Sequence, residues 1–218
     1  MSLLKLLFPP KCILCRRILE SRQQYLCDDC RIDAPECPIA HNKLSFLDSW
    51  VALWYYEGDV RRSLLRYKFH GARFYAPAYG QLLAQKIRLQ HPEGFDIIAW
   101  VPISRLRKLR RGFDQVELLA DHVGKDLGIR PTRLLKKIRH NRPQSRIMGQ
   151  AQRRANVLGA YKLIDPQQQV AGKRILLLDD IITTGSTMGE CARVLLTAGA
   201  DSVHGAVVAA VRHHDKNK

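Results

Sequence analysis

The chain has 218 residues, enough for one moderate α/β domain with a small additional module. Its 36 Lys and Arg residues outnumber its 20 Asp and Glu residues, and the resulting formal charge of +16 favours an anionic partner such as a phosphate compound or a nucleic acid. The sequence has no run of roughly 18 or more apolar residues and no long apolar core near its start, which argues against a membrane span and a secretory signal. We therefore expect a cytosolic protein.

Cysteines are concentrated near the N-terminus. Five of the six lie between residues 12 and 37, and four of them form two pairs of the Cys-x-x-Cys type, namely Cys12, Cys15, Cys27 and Cys30. Pairs with this spacing supply the four thiolates of a tetrahedral zinc site, whereas two disulfides or unrelated buried thiols are the alternatives. We predict a structural zinc ribbon within residues 1–46 that depends on its metal for folding.

Strand-like and helical patterns alternate beyond the ribbon. In chain order they predict a strand at 50–56, helices at 60–69 and 78–89, a strand at 96–101, a helix at 116–127, and strands at 134–138, 175–178 and 203–211. We expect the strand at 96–101 to be the first of the main sheet. The alternation predicts a doubly wound, mostly parallel α/β sheet within residues 47–218.

The turn after Pro102 is the first candidate site along the chain. Pro102, Ile103 and Ser104 end the strand at 96–101, and a cationic run follows, made of Arg105, Arg107, Lys108, Arg110 and Arg111. A strand-ending proline and a solvated charged face are the ordinary explanations. This turn should face the polar turn at residues 183–187 across the sheet. We therefore expect one or two of these cations to contact an anionic ligand.

The strand at 175–178 leads into a second polar turn, which is the most informative part of the sequence. Asp179 and Asp180 follow the apolar run, and the turn then contains Thr183, Thr184, Gly185, Ser186 and Thr187. A turn between a strand and a helix directs backbone N–H groups at an anion, and hydroxyls add further donors. Carboxylates beside a phosphate require a neutral or cationic group between them, which ribose hydroxyls and Mg²⁺ would supply. A phosphosugar site is expected, and an ordinary turn capped by Asp and Thr is the alternative.

Residues 175–187 closely resemble the phosphoribosyl-pyrophosphate motif of type I phosphoribosyltransferases: four apolar residues, two acidic, two apolar, then Thr-Thr-Gly-Ser-Thr. With the ribbon, nearly the whole chain resembles the ComF family of bacterial competence and DNA-utilisation proteins, including the ComFC and GntX types. Further support comes from residues 101–103, 110–115 and 144–157. The resemblance implies a type I phosphoribosyltransferase fold preceded by a zinc ribbon.

The resemblance also implies roles for the two turns. Asp179 and Asp180 would bind the ribose hydroxyls of phosphoribosyl pyrophosphate with Mg²⁺, and residues 183–187 would bind its 5′-phosphate. The pyrophosphate group would be held by Pro102, Ile103, Ser104, Arg105 and Arg111. The implied reaction is displacement of pyrophosphate at C1 of the ribose through an oxocarbenium-like state.

Two other segments receive expectations from the same resemblance. The polar stretch at 140–154 is a candidate lid over the substrate, or else a surface loop. The hood that recognises the acceptor is expected around residues 50–56. The chain also departs from the family pattern, because Cys37 and His41 stand where a second cysteine pair is often found, and Asp114 replaces the usual Asn.

Two functions from different classes follow. One is a phosphoribosyltransferase with an unidentified acceptor, acting in DNA uptake or in the use of DNA as a nutrient. The other is a non-catalytic sensor of phosphoribosyl pyrophosphate that binds single-stranded DNA or another DNA-uptake protein through its basic surface and its ribbon.

Overall fold

The structure is a computed structural model that describes residues 8–38, 44–139, 157–165 and 170–212. The helices are α1 (Asp28–Asp33), α2 (Gly58–Phe69), α3 (Ala76–Gln90), α4 (Arg105–Arg111), α5 (Gln115–Leu127) and α6 (Ser186–Thr197), with a 3₁₀ turn at Arg73–Tyr75. The strands are β1 (Ser49–Tyr55), β2 (Ile97–Trp100), β3 (Leu135–Lys137), β4 (Tyr161–Leu163), β5 (Arg174–Ile182) and β6 (Ser202–Ala210). No helix in these described ranges combines the length and hydropathy of a membrane span.

The main sheet has four parallel strands in the order β1-β6-β5-β2. Strand β5 lies inside the sheet, and its apolar residues 175–178 are fully buried. Leu176 and Leu178 belong to the core formed with α3 and α5, whereas Ile175 and Leu177 belong to the core formed with α6. Successive side chains of a strand point to opposite faces, which explains why this run has no polar interruption. The doubly wound α/β fold is confirmed.

The connections after β2 and β5 position a crevice. The chain leaves β2 towards α5 on one face of the sheet, and it leaves β5 towards α6 on the other face. Because β2 and β5 are parallel neighbours, their carboxyl ends lie side by side while the following segments diverge. Ligands of open α/β sheets bind at such a switch point.

The predicted order of the sheet was wrong at β1. This strand pairs with β6 at the edge of the main sheet, so residues 96–101 are not its first strand. Residues 50–54 are buried in this strand and therefore do not form the expected acceptor hood, whereas Tyr56 at the end of that segment is only partly buried. The outer edge of β1 is covered by the segment after α1, where Cys37 N donates to Leu53 O at 3.1 Å and Tyr55 N donates to Pro35 O at 2.7 Å. An aromatic, β-prone run fits an edge strand as well as it fits a hood.

The segment at 134–138 forms a strand, but not in the main sheet. Strand β3 pairs antiparallel with β4 in a separate two-stranded sheet. Leu134 and Leu135 pack with Tyr161 in the core on the α6 side, while Lys136 and Lys137 are only partly buried. The predicted lid at 140–154 lies outside the described residues.

Candidate functional site

A pocket of about 320 Å³ lies at the carboxyl ends of β2 and β5. Both adjacent carboxylates, Asp179 and Asp180, line it. Four of its other lining residues are cations: Lys68, Arg107, Arg111 and Lys137. A pocket that combines two carboxylates with several cations suits a ligand that has both hydroxyl groups and multiply charged anionic groups.

Asp180 is buried and held from two sides. Lys68 from α2 places its Nζ 2.9 Å from Oδ1, and Gln115 at the start of α5 donates from Nε2 to Oδ2 at 2.9 Å. Both carboxylate oxygens therefore have donors supplied by helices on the same face of the sheet. The Lys68–Asp180 pair is well shielded from solvent, so its electrostatic interaction is screened less than that of a surface pair.

Asp179 has different surroundings although it is the adjacent residue. Its Oδ1 accepts the backbone N–H of Asp180 at 2.8 Å. Burial, followed by the negative charge of Asp180, raises the pKa of Asp179 well above its ordinary value. Carboxylate oxygens are ligands that Mg²⁺ accepts in proteins, so Asp179 in its ionised form could hold such an ion.

The hydroxyl-rich turn begins α6 and reaches the same pocket. Thr183 and Thr187 line the pocket, and Thr184 Oγ1 and Ser186 Oγ lie 2.8 Å apart. Gly185 is the residue before the helix and has a φ of 73°, a backbone conformation that favours glycine. A Cβ atom at Gly185 would lie 2.6 Å from Leu44 Cδ2, so the Leu44 side chain would have to move to admit a side chain there.

The turn after β2 reaches the pocket only in part. Pro102 and Ile103 line it, whereas Ser104 caps α4, its Oγ accepting the N–H of Arg107 at 3.4 Å. Arg111 lines the pocket, and burial lowers its pKa. The side chain of Arg105 lies outside the described residues.

The cationic run of α4 divides between two environments. Arg107 and Arg111, four residues apart, share a helix face and line the pocket. Arg110 is exposed, and Lys108 pairs with Glu117 at 2.7 Å near the surface. Arg107 and Arg111 therefore lie where ligand contact is predicted, whereas Lys108 and Arg110 belong to the solvated face.

The hairpin of β3 and β4 adds two lining residues that the sequence did not suggest. Lys137 and Tyr161 line the pocket, with Lys137 Nζ 5.2 Å from the centre of the Tyr161 ring. Burial, followed by the positive charge of Arg107, lowers the pKa of Lys137. No local motif marks either residue, since the hairpin comes near the pocket only through tertiary packing.

Asp114 supports the pocket by ending the turn before α5. Its Oδ1 accepts the backbone N–H groups of Val116 at 3.0 Å and Glu117 at 3.2 Å. A carboxylate performs this capping role as well as an amide does, which explains why Asp is accepted at the usual Asn position. Gln115, immediately after the cap, belongs to the segment at 110–115 that resembles the family, but it was not predicted as a site residue.

A separate metal site is formed by the predicted cysteines. One Sγ atom from each of Cys12, Cys15, Cys27 and Cys30 lies within 4.8 Å of the others. With Zn–S bonds of about 2.3 Å, tetrahedral coordination requires sulfur atoms roughly 3.8 Å apart, so a small contraction accommodates the ion. Four thiolates leave no coordination position for a catalytic water, and the site is structural.

Cys37 does not belong to this cluster. It is buried in the core on the α6 side of the sheet, whereas Cys12 and Cys27 belong to the opposite core. Burial raises the pKa of the Cys37 thiol. His41 lies outside the described residues.

Comparisons with known proteins agree with both parts of the chain. Residues 109–218 match the phosphoribosyl transferase domain family, and residues 3–41 match the double zinc ribbon domain family. Competence protein F of Haemophilus influenzae is 26% identical over 88% of this chain and 93% of its own length. Competence protein ComFC of Streptococcus pneumoniae is 28% identical over 88% of this chain and 96% of its own length.

The DNA utilization protein YhgH of Salmonella typhi is 29% identical over 88% of this chain and 86% of its own length. Among solved structures, a glutamine phosphoribosylpyrophosphate amidotransferase from B. subtilis, complexed with ADP and GMP, matches this chain at 24% sequence identity with a TM-score of 0.42. The match covers 66% of this chain and 30% of the amidotransferase chain. The matched domains and their order assign the family. The chain belongs to the ComF family, in which a zinc ribbon precedes a phosphoribosyltransferase domain.

Proposed function

We propose that the pocket binds phosphoribosyl pyrophosphate with Mg²⁺ and that the protein transfers the phosphoribosyl group to an acceptor. The observation that carries this proposal is one pocket that combines the pair Asp179 and Asp180, the hydroxyl-rich turn before α6, and four cations. The names of the relatives, competence and DNA utilization proteins, support a role in DNA uptake or in the use of DNA as a nutrient. The cytoplasm is the proposed location.

Each group in the pocket has a place in this chemistry. Asp179 and Asp180 bind the ribose hydroxyls, and Asp179 holds Mg²⁺, which when bound offsets the charge of the pyrophosphate. Residues 183–187 bind the 5′-phosphate through the hydroxyls and the N–H groups that begin α6. Residues 102–104, together with Arg105 and Arg111, would hold the pyrophosphate, and Arg107 and Lys137, which line the same pocket, would share that charge.

The reaction exchanges two bonds at C1 of the ribose. The bond between C1 and the pyrophosphate oxygen breaks, and the pyrophosphate leaves with the electron pair. The acceptor donates an electron pair to C1 and loses its proton to solvent. Positive charge develops on the ring beside Asp179 and Asp180, and negative charge develops on the leaving oxygens beside Arg107, Arg111 and Lys137, so both changes are stabilised.

Release of pyrophosphate tests the enzyme proposal. We expect phosphoribosyl pyrophosphate and Mg²⁺ to yield pyrophosphate when a nucleobase, a nucleoside or an oligonucleotide acceptor is added. The Arg107→Met variant should lose this activity, and Lys125→Ala, at an exposed position near the other end of α5, should keep it. Binding without release in the presence of every acceptor class would favour a sensor over an enzyme.

A second candidate, binding of single-stranded DNA, is favoured by one surface beside the pocket. This aromatic–arginine surface comprises Phe69, Arg73 and Arg111 with the exposed chain neighbours Phe74 and Arg110. The guanidinium of Arg111 lies 4.8 Å from the centre of the Phe69 ring, and Phe69 and Phe74 are 60% and 75% exposed. Exposed aromatic rings next to cations suit unpaired bases and their phosphates. Such a surface would bring DNA to the edge of the proposed active site.

A further inference from the structure

One buried side chain of the pocket has a polar atom without a partner. Gln115 lines the pocket and is only 2% exposed. Its Nε2 donates to Asp180 Oδ2 at 2.9 Å, but its Oε1 is buried and has no hydrogen-bond partner. Buried polar atoms are nearly always paired in native proteins, so this oxygen is an acceptor available to a donor that enters the pocket.

The identity of the unpaired atom follows from its neighbour. The amide of Gln115 faces a carboxylate that also pairs with Lys68. If the amide were turned over, its oxygen would face an oxygen of Asp180, and two acceptors would meet. The amide nitrogen must therefore be on Asp180, and the remaining atom is an acceptor that requires a donor.

The position of Gln115 is fixed on three sides. Asp114 caps the helix that Gln115 begins, and the Tyr67 hydroxyl donates to the backbone oxygen of Gln115 at 2.6 Å. The side chain is held by Asp180, which is itself held by Lys68. The acceptor atom therefore keeps its place before a ligand arrives, which lowers the entropic cost of binding.

The donor on the ligand is restricted by chemistry. Ionised phosphate and pyrophosphate groups have no proton to donate, whereas sugar hydroxyls do. Asp180, the direct neighbour of Gln115, is also the residue proposed to bind the ribose hydroxyls. We propose that Gln115 is a specificity-determining residue whose Oε1 accepts a hydrogen bond from a ribose ring hydroxyl, so that the pocket prefers ribose 5-phosphates to their deoxy forms. This inference rests on the proposed function.

The test measures how affinity depends on the sugar. Ribose 5-phosphate, 2-deoxyribose 5-phosphate and 3-deoxyribose 5-phosphate are titrated with Mg²⁺ into the wild-type protein, Gln115→Met, and Gln85→Met as a control at an exposed position of α3. At least one deoxy sugar should bind the wild type and the control about 10-fold more weakly than ribose 5-phosphate. In Gln115→Met, the ratio of the affinity for ribose 5-phosphate to the affinity for that deoxy sugar should fall to about one. Gln115→Asn, which keeps the amide but retracts it, should give an intermediate ratio.

Several outcomes would overturn the inference. If phosphoribosyl pyrophosphate binds the wild type but the three sugars bind it equally, the proposed function stands and the role of Gln115 falls. An unchanged ratio in Gln115→Met would mean that the residue only supports Asp180. Titration of Mn²⁺ alone should give the same affinity in the wild type and in Gln115→Met. If Gln115→Met loses Mn²⁺ binding but keeps the wild-type ratio of sugar affinities, Gln115 is a metal ligand instead. Binding of neither phosphoribosyl pyrophosphate nor any of the three sugars would reject both proposals.

Discussion

The two adjacent carboxylates of the pocket are not equivalent, although the sequence presents them as a simple pair. Asp180 forms an ion pair with Lys68 and accepts a hydrogen bond from Gln115. Burial, followed by the negative charge of Asp180, raises the pKa of Asp179. Neighbouring acids in different surroundings often have different roles. Under the proposed function, Asp180 would position the ribose and Asp179 would bind its metal.

The raised pKa of Asp179 predicts an effect on stability. Ionising Asp179 is harder in the folded protein than in the unfolded chain, so its contribution to the free energy of unfolding falls as the pH rises from the ordinary Asp pKa towards the raised value. We expect Asp179→Asn to raise the Tm at pH 7 by about 2–4 °C, the shift that 1 kcal/mol gives in a domain of this size.

Thermal unfolding followed by circular dichroism at pH 5 and pH 7.5 measures this effect. The difference in Tm between Asp179→Asn and the wild type should grow with pH. Asp201→Asn, at an exposed position before β6, should show no such change. A variant that is less stable than the wild type at both pH values would contradict the inferred cost of ionising Asp179.

At the scale of elements, the turn between β5 and α6 combines a conformational and a steric requirement. Gly185 has a φ of 73°, and a Cβ atom there would be 2.6 Å from Leu44 Cδ2. Gly172, with a φ of 66°, has no atom within 4 Å of the same position. The two glycines therefore share a backbone constraint but differ in their neighbours.

We expect Gly185→Ala to lower the free energy of unfolding by about 2–3 kcal/mol and to abolish phosphoribosyl-pyrophosphate binding, because strain and overpacking add. Gly172→Ala should lower the free energy of unfolding by only about 1 kcal/mol and leave phosphoribosyl-pyrophosphate binding unchanged. Urea unfolding and calorimetry measure the two effects. Equal losses of stability, with binding intact in both, would show that the turn tolerates a side chain and does not bind the ligand.

The sequence predicted those elements whose evidence is local. Strand β5 and the polar turn after it form one continuous segment, and the apolar run reports burial on both faces. Lys68, Gln115 and Lys137 reach the pocket from three distant elements, and a single sequence does not say which elements meet. The misplacement of β1 has a similar cause, because its position at the sheet edge depends on pairing with β6, about 150 residues further along.

At the scale of the whole molecule, the ribbon packs against the sheet domain. Ile13 and Leu14 belong to the same core as Val60 and Leu64 of α2. Arg66 donates to Leu14 O at 2.6 Å and to Ile13 O at 3.0 Å. The division of the chain at residues 46 and 47 stays a prediction, but a shared core couples the stability of the ribbon to that of α2.

Zinc should therefore stabilise more than the ribbon. We expect one zinc ion per chain, and Cys15→Ser should lose it together with several degrees of Tm in the sheet domain. Cys37→Ala, a cysteine outside the cluster, should keep the zinc. Elemental analysis and circular dichroism measure both quantities. Two zinc ions per chain, or loss of zinc in Cys37→Ala, would contradict the single four-cysteine site.

The aromatic–arginine surface makes a separate prediction about salt. If it binds single-stranded DNA, the logarithm of the binding constant should fall with the logarithm of the salt concentration by about 0.7 per phosphate contact. Arg110→Ala should reduce this slope by about one contact, whereas Phe74→Ala should weaken binding without changing the slope. Lys125→Ala serves as the control. Fluorescence anisotropy that gives a slope near zero for the wild type would reject this surface as a DNA site.

The central claim is that Asp179 and Asp180 bind phosphoribosyl pyrophosphate with Mg²⁺, and calorimetric titration tests it most directly. We expect binding of one ligand per wild-type chain that requires Mg²⁺, is lost in Asp179→Ala and in Asp180→Ala, and is unchanged in the exposed control Asp201→Ala. Circular dichroism should show that all three variants remain folded. Unchanged affinity in both pocket variants would contradict the claim and place any ligand elsewhere on the molecule.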